Sequence, residues 1–188
     1  MSTEEECSIG GMKVIGNKIF FYRDVDDEAV FELVTQLHEM EHMSKITIFI
    51  KSDGGDVYAG LSAMDHLRAS PLHVTTVADG LCASSATLIL FGGDRRLMLP
   101  NARVLIHQVS SDFSGKFEDL KVEKRNMKSI MRQIRTVYEK NSDIPSEKLD
   151  KYMEKDVYLK SSTCMRYGIV NGVYGQEKTL GQEKTLGR

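Results

Sequence analysis

The sequence has few of the residues that mark secreted, metal-binding or nucleic-acid-binding proteins. Its 188 residues include three cysteines, three prolines and no tryptophan. Cys7, Cys82 and Cys164 lie far apart, so they offer neither a disulfide framework nor a Cys-x-x-Cys zinc site. A formal net charge of −2 argues against a dedicated nucleic-acid binder, which normally carries a basic excess. We therefore expect a protein of a reducing compartment, the cytoplasm.

Long apolar runs are also absent. No run approaches the ~18 residues that cross a bilayer, and the acidic start lacks the basic and apolar regions of a secretory signal. Hydrophobic residues still make up 41% of the chain, enough to bury a core. We expect one domain over residues 13–174, with flexible ends at 1–12 and 175–188. The C-terminal end repeats the hexapeptide QEKTLG at 176–181 and 182–187.

The apolar pattern predicts an alternation of short strands and helices, which is typical of an α/β fold with a largely parallel sheet. A hairpin over 13–22 turns at Gly16-Asn17. Further strands are predicted over 46–50, 74–77, 97–99, 104–109, 157–159 and 169–174. Helices are predicted from the aspartates at 24–27 to about 43, and over 57–70, 87–91, 116–140 and 161–167, with a short one after Pro145.

The helix predicted over 116–140 is charged and carries one apolar stripe. A helix of about 25 residues is about 37 Å long, which exceeds what a compact domain of this size needs. We expect it to project as a handle, within about 110–153, and to contact another subunit. The stripe consists of Leu120, Met127, Ile130, Met131, Ile134, Val137 and Tyr138.

One segment, His38-Glu39-Met40-Glu41-His42, matches the zinc-protease pattern H-E-x-x-H. It falls on a predicted helix, where two histidines four residues apart could bind one zinc ion. No second segment offers a clear third ligand, and a solvated pair of histidines on an amphipathic helix explains the pattern as well. We expect no metal site, and a zinc protease stays an alternative.

A candidate nucleophile, Ser84, lies where a strand gives way to a helix, among Gly80, Ala83 and Ala86. Small neighbours allow a sharp turn that exposes the hydroxyl, and backbone N–H groups at the helix start favour an oxyanion. An N-capping serine in a tightly packed crossing gives the same pattern.

Two further features complete the parts of acyl-transfer chemistry. His107 is the only histidine inside an apolar run, so it is either a hydrogen-bonded core residue or a general base. Gly54-Gly55 follows a buried strand, where backbone N–H groups could face an oxyanion, although a plain turn is equally possible. Several carboxylates could orient the base, and the residues alone do not choose among them.

Three blocks of sequence together resemble the ClpP peptidases, self-compartmentalising serine proteases that work with AAA+ unfoldases. The blocks are KSDGG at 51–55 with Ala59-Gly60, GLCASSA at 80–86, and LPNARVLIHQ at 99–108. The resemblance extends from about residue 18 to 174. It implies a ClpP/crotonase-like α/β fold of ββα units with a projecting handle helix, stacked heptameric rings of identical subunits, and unfolded polypeptides as substrates.

The resemblance also implies the roles of individual residues. Ser84 corresponds to the nucleophile, His107 to the general base, and Asp156, within EKDVYL at 154–159, to the residue that orients the base. The oxyanion would be bound by backbone N–H groups, and the substrate backbone would pair with a strand in the segment after the histidine. The corresponding residues are Gly55 and Ser85 for the oxyanion, and Ser110, Ser111 and Gly115 for the strand.

Some positions depart from the family pattern. Asp53 and Val109 stand where prolines are usual, and Ser85-Ala86 replaces Met-Gly after the nucleophile. These departures leave open an alternative, a catalytically weak or silent structural subunit of a mixed ring. A crotonase-type acyl-CoA enzyme shares the fold but leaves the Ser-His-Asp set unexplained. We expect no cofactor in the peptidase itself, ATP consumption only by a partner unfoldase, and no nucleic-acid or membrane partner.

Overall fold

Residues 11–176 are described by the structure, a computed structural model. They form strands and helices that alternate along the chain, as the sequence predicts. The strands are β1 Gly11–Ile15, β2 Lys18–Tyr22, β3 Lys45–Ser52, β4 His73–Ala83, β5 Arg95–Met98, β6 Arg103–Ile106, β7 Val157–Leu159 and β8 Gly172–Val173. The helices are α1 Asp27–Glu39, α2 Val57–Ala69, α3 Ala86–Gly92, α4 Phe117–Asn141, α5 Ser146–Glu154 and α6 Ser161–Arg166.

The strands make one sheet in the order β1-β2-β3-β4-β5-β8, and β6 and β7 branch from it at β4. The hairpin β1–β2 and the pair β6–β7 are antiparallel, whereas the other pairings are parallel. Gly16, with φ +59°, occupies the hairpin turn that the sequence predicts. The predicted α/β fold with a largely parallel sheet is therefore confirmed.

The long strand β4 carries the branch that positions the candidate site. Its first half, Thr75–Ala78, pairs with β5, and its second half, Leu81–Ala83, pairs with β6. Between the halves lies Gly80 with φ +68°, a backbone conformation that glycine adopts without a Cβ clash. This bend brings the end of β4 beside the end of β6.

The core lies between the sheet and helices α1 to α3. β3 directs Ile46, Ile48 and Ile50 into it, each at most 1% exposed. The opposite face of the sheet carries a smaller cluster centred on Phe49 and Val77. Neighbouring residues of β3 are therefore buried on opposite faces of the sheet, which explains why its sequence is continuously apolar.

Helix α4 is attached to the core mainly through its C-terminal half. Its buried side chains are Ile130, Ile134 and Tyr138, whereas Phe117 and Val122 near its start are exposed. The predicted long helix is confirmed within one residue at each end. Its role as a handle that meets another subunit stays a prediction.

Two predicted elements extend too far. Helix α1 ends at Glu39 rather than near residue 43, because the chain turns at Met40, which is buried at the edge of the core. The last strand covers only Gly172–Val173 rather than 169–174. The N–H groups of Ile169 and Val170 bond to the carbonyl of Cys164 in α6, so they are not available to the sheet.

One further prediction needs correction near the site. Strand β6 ends at Ile106 instead of residue 109, because the next bonded N–H, that of Gln108, donates to Met153 O. Residues 107–116 have neither helix nor strand, so Ser110, Ser111 and Gly115 lie in a loop. This segment has no neighbouring strand with which to pair within residues 11–176.

The ends of the chain are only partly described. The predicted flexible segment 1–12 includes Gly11 and Met12, which instead pair in β1 with Tyr22 and Phe21. Residues 1–10, and the repeated hexapeptide apart from its first residue, lie outside the described range. None of the helices within residues 11–176 has the length and apolar character needed to cross a membrane.

Candidate active site

Ser84 occupies a strained turn between β4 and α3. Its φ is +54°, the only positive value at a non-glycine residue within 11–176, and such a conformation costs about 1–2 kcal/mol. The N–H of Ser84 donates to Leu105 O on β6 at 3.0 Å. Gly54 makes room for the turn, because a Cβ at residue 54 would lie 2.6 Å from Ser84 Cβ. The sharp strand-to-helix turn that the sequence predicts is therefore present.

Two buried hydroxyls hold this turn in place. Thr87 Oγ1 donates to the carbonyl of Ser84 at 2.6 Å, and the Thr87 N–H donates to the same oxygen at 3.0 Å. Tyr138, from α4, has its hydroxyl 2.6 Å from Thr87 Oγ1. Because Thr87 has one hydroxyl proton and gives it to Ser84, Tyr138 is the donor to Thr87. Burial raises the pKa of Tyr138, which keeps this phenol protonated.

His107 and Asp156 are brought together by the pairing of β6 with β7. Ile106 lies opposite Val157 in this antiparallel pair, so the residues just beyond, His107 and Asp156, also face each other. Nδ1 of His107 lies 3.8 Å from Oδ1 of Asp156, which is too long for a hydrogen bond. The side chain of His107 is 27% exposed and that of Asp156 is 71% exposed. The carboxylate thus lies on the Nδ1 side of the imidazole, beyond hydrogen-bonding distance.

Gly54 and Gly55 form a rigid loop next to Ser84. Their φ values of +105° and +144° suit glycine, and a Cβ on Gly55 would lie 2.3 Å from Val25 O. The loop is fixed by Val25, whose N–H donates to Gly54 O at 2.8 Å and whose carbonyl accepts from Asp56 N at 2.7 Å. These bonds use the carbonyl of Gly54 and the N–H of Asp56, and the N–H of Gly55 takes part in neither.

Two backbone N–H groups are available to bind an oxyanion. Among the hydrogen bonds within residues 11–176, none is donated by the N–H of Gly55 or of Ser85. Both residues line the pocket that also contains Ser84 and His107. Backbone donors beside a nucleophile are the usual means of stabilising a tetrahedral oxyanion.

The pocket has a volume of about 160 Å³ and is bounded by residues of several elements. It therefore gathers the predicted nucleophile, base and oxyanion donors around one space, with Asp156 behind His107. Its lining is Gly55, Asp56, Val57, Ser84, Ser85, Leu88, His107, Gln108, Val109, Ser110, Ile134 and Tyr138.

The three residues expected to bind the substrate backbone are only partly gathered at this pocket. Ser110 lines it, whereas Ser111 lies by a neighbouring groove along α4, where its Oγ is 3.5 Å from Glu123 Oε1. Gly115 is close to the ring of Phe113. Their predicted role in binding a peptide strand stays a prediction.

The H-E-x-x-H pattern does not lie on one helix as expected. Because α1 ends at Glu39, His42 falls beyond it and its Nδ1 lies 2.9 Å from Glu39 O. His38 Nδ1 is 2.8 Å from Glu41 Oε1, and both histidines are exposed. Within the part of the chain that the structure describes, no group of three or more His, Cys, Asp or Glu is arranged to hold a metal ion.

Sequence comparison identifies the family of the chain. The model of the Clp protease family matches residues 4–177, which is nearly the whole chain. The chain belongs to the Clp protease family. The resemblance found in the three sequence blocks is thereby confirmed, and with it the expectation of a serine peptidase family.

Relatives and a solved structure give the extent of the similarity. The chain is 32% identical over 165 residues to an ATP-dependent Clp protease proteolytic subunit of Deinococcus radiodurans, covering 85% of this chain and 81% of the relative. A subunit of the same name from Pleurastrum terricola is 31% identical over 159 residues, covering 82% and 81%. A mutant of ClpP1 from Listeria monocytogenes superposes with a TM-score of 0.75 at 27% identity, covering 84% and 90%. The ClpP fold is therefore confirmed.

The sequence alone does not predict the contact between Tyr138 and Thr87. Tyr138 belongs to the apolar stripe of α4, where an aromatic residue is expected to fill the core, and Thr87 begins an apolar helix. The sequence offers one indication. Each residue carries a hydroxyl at a position that is expected to be buried, and a buried hydroxyl needs a hydrogen-bond partner.

Proposed function

We propose that this chain is an endopeptidase that hydrolyses unfolded polypeptides with Ser84, His107 and Asp156. The observation that carries the proposal is one pocket lined by Ser84, His107 and two residues whose backbone N–H groups donate no hydrogen bond. The Clp family membership supports the same chemistry. A metal is not required, because the serine hydroxyl is the nucleophile.

In the first step, the neutral imidazole of His107 removes the proton from Ser84 Oγ as this oxygen attacks a peptide carbonyl. Asp156 lies nearer Nδ1, which leaves Nε2 to act on Ser84. The carboxylate then stabilises the imidazolium that forms. An approach of about 1 Å would convert the 3.8 Å separation into a hydrogen bond, and such contacts commonly tighten when substrate binds.

The negative charge that develops on the carbonyl oxygen would be bound by the N–H groups of Gly55 and Ser85. Collapse of the tetrahedral intermediate breaks the C–N bond, and His107 donates its proton to the leaving amine. Water then attacks the acyl-enzyme with His107 again as base, which releases the second product and restores Ser84.

We further propose that the chain acts as a subunit of stacked homo-heptameric rings supplied by an AAA+ unfoldase, as an ATP-dependent Clp protease. The names of the relatives support this proposal. Exposed Phe117, Leu120 and Val122 on α4 also support it, because such an apolar surface on a projecting helix favours subunit contact.

A catalytically weak structural subunit is the second candidate. The distance of 3.8 Å between His107 Nδ1 and Asp156 Oδ1 favours it, because a histidine that lacks a hydrogen bond to its orienting carboxylate is a much weaker catalyst. The two candidates differ in whether the protein alone cleaves peptides.

A fluorophosphonate probe tests the proposal, because it reacts only with an activated serine. We expect covalent labelling of the assembled wild-type protein and none of Ser84→Ala. Ser62→Ala, at an exposed serine of α2, is the matched control and should label as the wild type does. Unlabelled assembled wild type that also fails to cleave unstructured peptides would refute the peptidase proposal and favour the structural subunit.

A further inference from the structure

One side of helix α4 carries a row of three positively charged side chains without an acidic partner. Lys124, Lys128 and Arg132 lie four residues apart, are exposed, and form no ion pair or side-chain hydrogen bond within residues 11–176. By contrast, Lys121 and Arg135 of the same helix are paired with acids. Like charges four residues apart destabilise a helix, so the stability of α4 does not explain this cation row.

The cation row borders a groove that continues from the pocket of the candidate site. This groove, with a volume of about 600 Å³, is lined by all three cations and by the half-buried side chains of Met127 and Met131. Gln108 and Val109 line both the groove and the pocket that contains Ser84. A polypeptide bound at Ser84 can therefore extend along the groove.

The other wall of the groove is the segment after His107, and it is fastened to the helices. The N–H of Val109 donates to Met131 Sδ at 3.1 Å, and Ser111 Oγ donates to Glu123 Oε1 at 3.5 Å. Glu123 is the one acid that lines the groove, against the three cations of the row. The groove is thus formed by contacts within the chain, and its lining has an excess of positive charge.

We infer that this groove binds a stretch of the substrate polypeptide that carries acidic side chains at alternate positions. The inference rests on the proposed function. Successive cations of the row are about 6 Å apart along the helix, since each residue rises about 1.5 Å. Side chains on one face of an extended peptide repeat about every 6.6 Å, which matches this spacing. The methionines beside the row reduce the contact of such ion pairs with water, which strengthens their attraction.

The position of the cation row fixes how far these acids lie from the cleaved bond. Ile134 of α4 lines the pocket that contains Ser84, and Lys128 and Lys124 lie six and ten residues before it. These separations are about 9 and 15 Å along a helix. An extended peptide covers them in about three to five residues. Asp56, which also lines that pocket, is therefore about a Debye length or more from the acids, and its repulsion is screened.

The test measures peptide binding by the assembled Ser84→Ala protein, which cannot cleave. Fluorescence anisotropy gives its affinity for unstructured peptides that differ only at two alternate positions, occupied by Glu, Gln or Lys. We expect the Glu peptide to bind about fivefold more tightly than the Gln peptide, and the Lys peptide to bind most weakly, because a few partly exposed ion pairs contribute modestly. The difference should shrink as salt is added.

A matched pair of variants locates the effect on α4. When Lys128→Gln and Arg132→Gln are added to the Ser84→Ala protein, the affinities for the Glu and Gln peptides should agree within about twofold. Arg125→Gln with Lys140→Gln removes the same charge from the same helix, at exposed residues that do not line the groove. This control should keep the preference for the Glu peptide.

Equal affinities for the Glu and Gln peptides, no measurable binding of any peptide, or a preference that survives the loss of both groove cations would overturn the inference. Analytical ultracentrifugation supplies one further outcome. Dissociation of the assembly by Lys128→Gln/Arg132→Gln, but not by the control, would show that the groove holds a second copy of this chain, and this too would overturn it. The proposed function fails separately, when the wild type cleaves no peptide although the preference for the Glu peptide is measured.

Discussion

The hydroxyl of Tyr138 on α4 lies 2.6 Å from Oγ1 of Thr87, which in turn donates to the carbonyl of Ser84. Tyr138 is 51 residues from Thr87 in sequence, so this contact connects the long helix to the turn that carries the candidate nucleophile. Because Ser84 is held at a strained φ of +54°, the turn depends on such contacts to keep its shape.

Tyr138→Phe should therefore loosen the turn without changing the pocket walls greatly. We expect the free energy of unfolding to fall by about 1 kcal/mol, the value of one hydrogen bond. We also expect kcat to fall several-fold with KM nearly unchanged, because the change affects the reacting hydroxyl rather than peptide contacts. Urea unfolding and peptide hydrolysis measure the two effects. Tyr58→Phe, at a tyrosine that is 65% exposed, should leave both unchanged. An equal effect of the two variants would contradict the role given to Tyr138.

Asp156→Asn tests the third member of the proposed triad. The amide keeps the size of the side chain but cannot stabilise an imidazolium, so kcat should fall by roughly 10²–10⁴-fold. Fluorophosphonate labelling should slow in parallel. The matched control is Glu154→Gln, which removes a nearby exposed carboxylate at the end of α5. Normal activity in Asp156→Asn would show that another group orients His107.

Gly55→Ala should disrupt the loop that Gly54 and Gly55 form next to Ser84. The added Cβ would lie 2.3 Å from Val25 O, a backbone atom that cannot rotate away. We expect the free energy of unfolding to fall by about 1–3 kcal/mol and peptide hydrolysis to be lost, because the Gly55 N–H moves with the loop. Gly172→Ala is the control, since the nearest atom there is a side-chain carbon at 3.6 Å. Wild-type hydrolysis by Gly55→Ala would mean that this N–H is not an oxyanion donor.

Stability should decline in mild alkali because of two buried thiols. Burial raises the pKa of Cys164 from 9.0 to about 12, and burial also raises the pKa of Cys82. Above pH 9 the unfolded chain loses these protons while the folded chain keeps them, so the free energy of unfolding falls as pH rises. Between pH 9 and 10 each thiol should contribute a loss of about 1 kcal/mol.

Urea unfolding at both pH values measures this decline. Cys164→Ser keeps a group that can donate to Leu159 O, as the thiol does at 3.7 Å, but does not ionise in this range. Its pH-dependent loss should be smaller than that of the wild type. An unchanged slope in Cys164→Ser would show that the decline has another origin, such as lysines that begin to lose their charge.

Local patterns single out Ser84, His107 and Gly55 as candidates, because each follows a strand at a point where the residue types change abruptly. Asp156 was different, since the residues alone left several carboxylates open and only the family resemblance singled it out. What unites it with His107 is the pairing of β6 with β7, which joins segments about 50 residues apart. Such pairing is not encoded in any one window of sequence.

The errors also have physical causes. The apolar sequence of residues 169–174 suits a strand, but Ile169 and Val170 give their N–H groups to the end of α6. His42 continues the helical pattern of α1, yet the chain must reverse near Met40 to enter β3. In the first place local backbone hydrogen bonds at the end of α6 set where the strand begins, and in the second the reversal of the chain after Met40 sets where the helix ends.

The antiparallel register of β6 and β7 has an evolutionary consequence. Because Ile106 pairs with Val157, one residue inserted between Asp156 and Val157 would face the imidazole in place of the acid and move Asp156 one position away. A subunit could thus be inactivated by a change in length alone, with serine, histidine and aspartate all still present. The presence of the three residues would then wrongly indicate that an inactive paralogue is an enzyme. The number of residues between α5 and β7 would show that the acid is out of place.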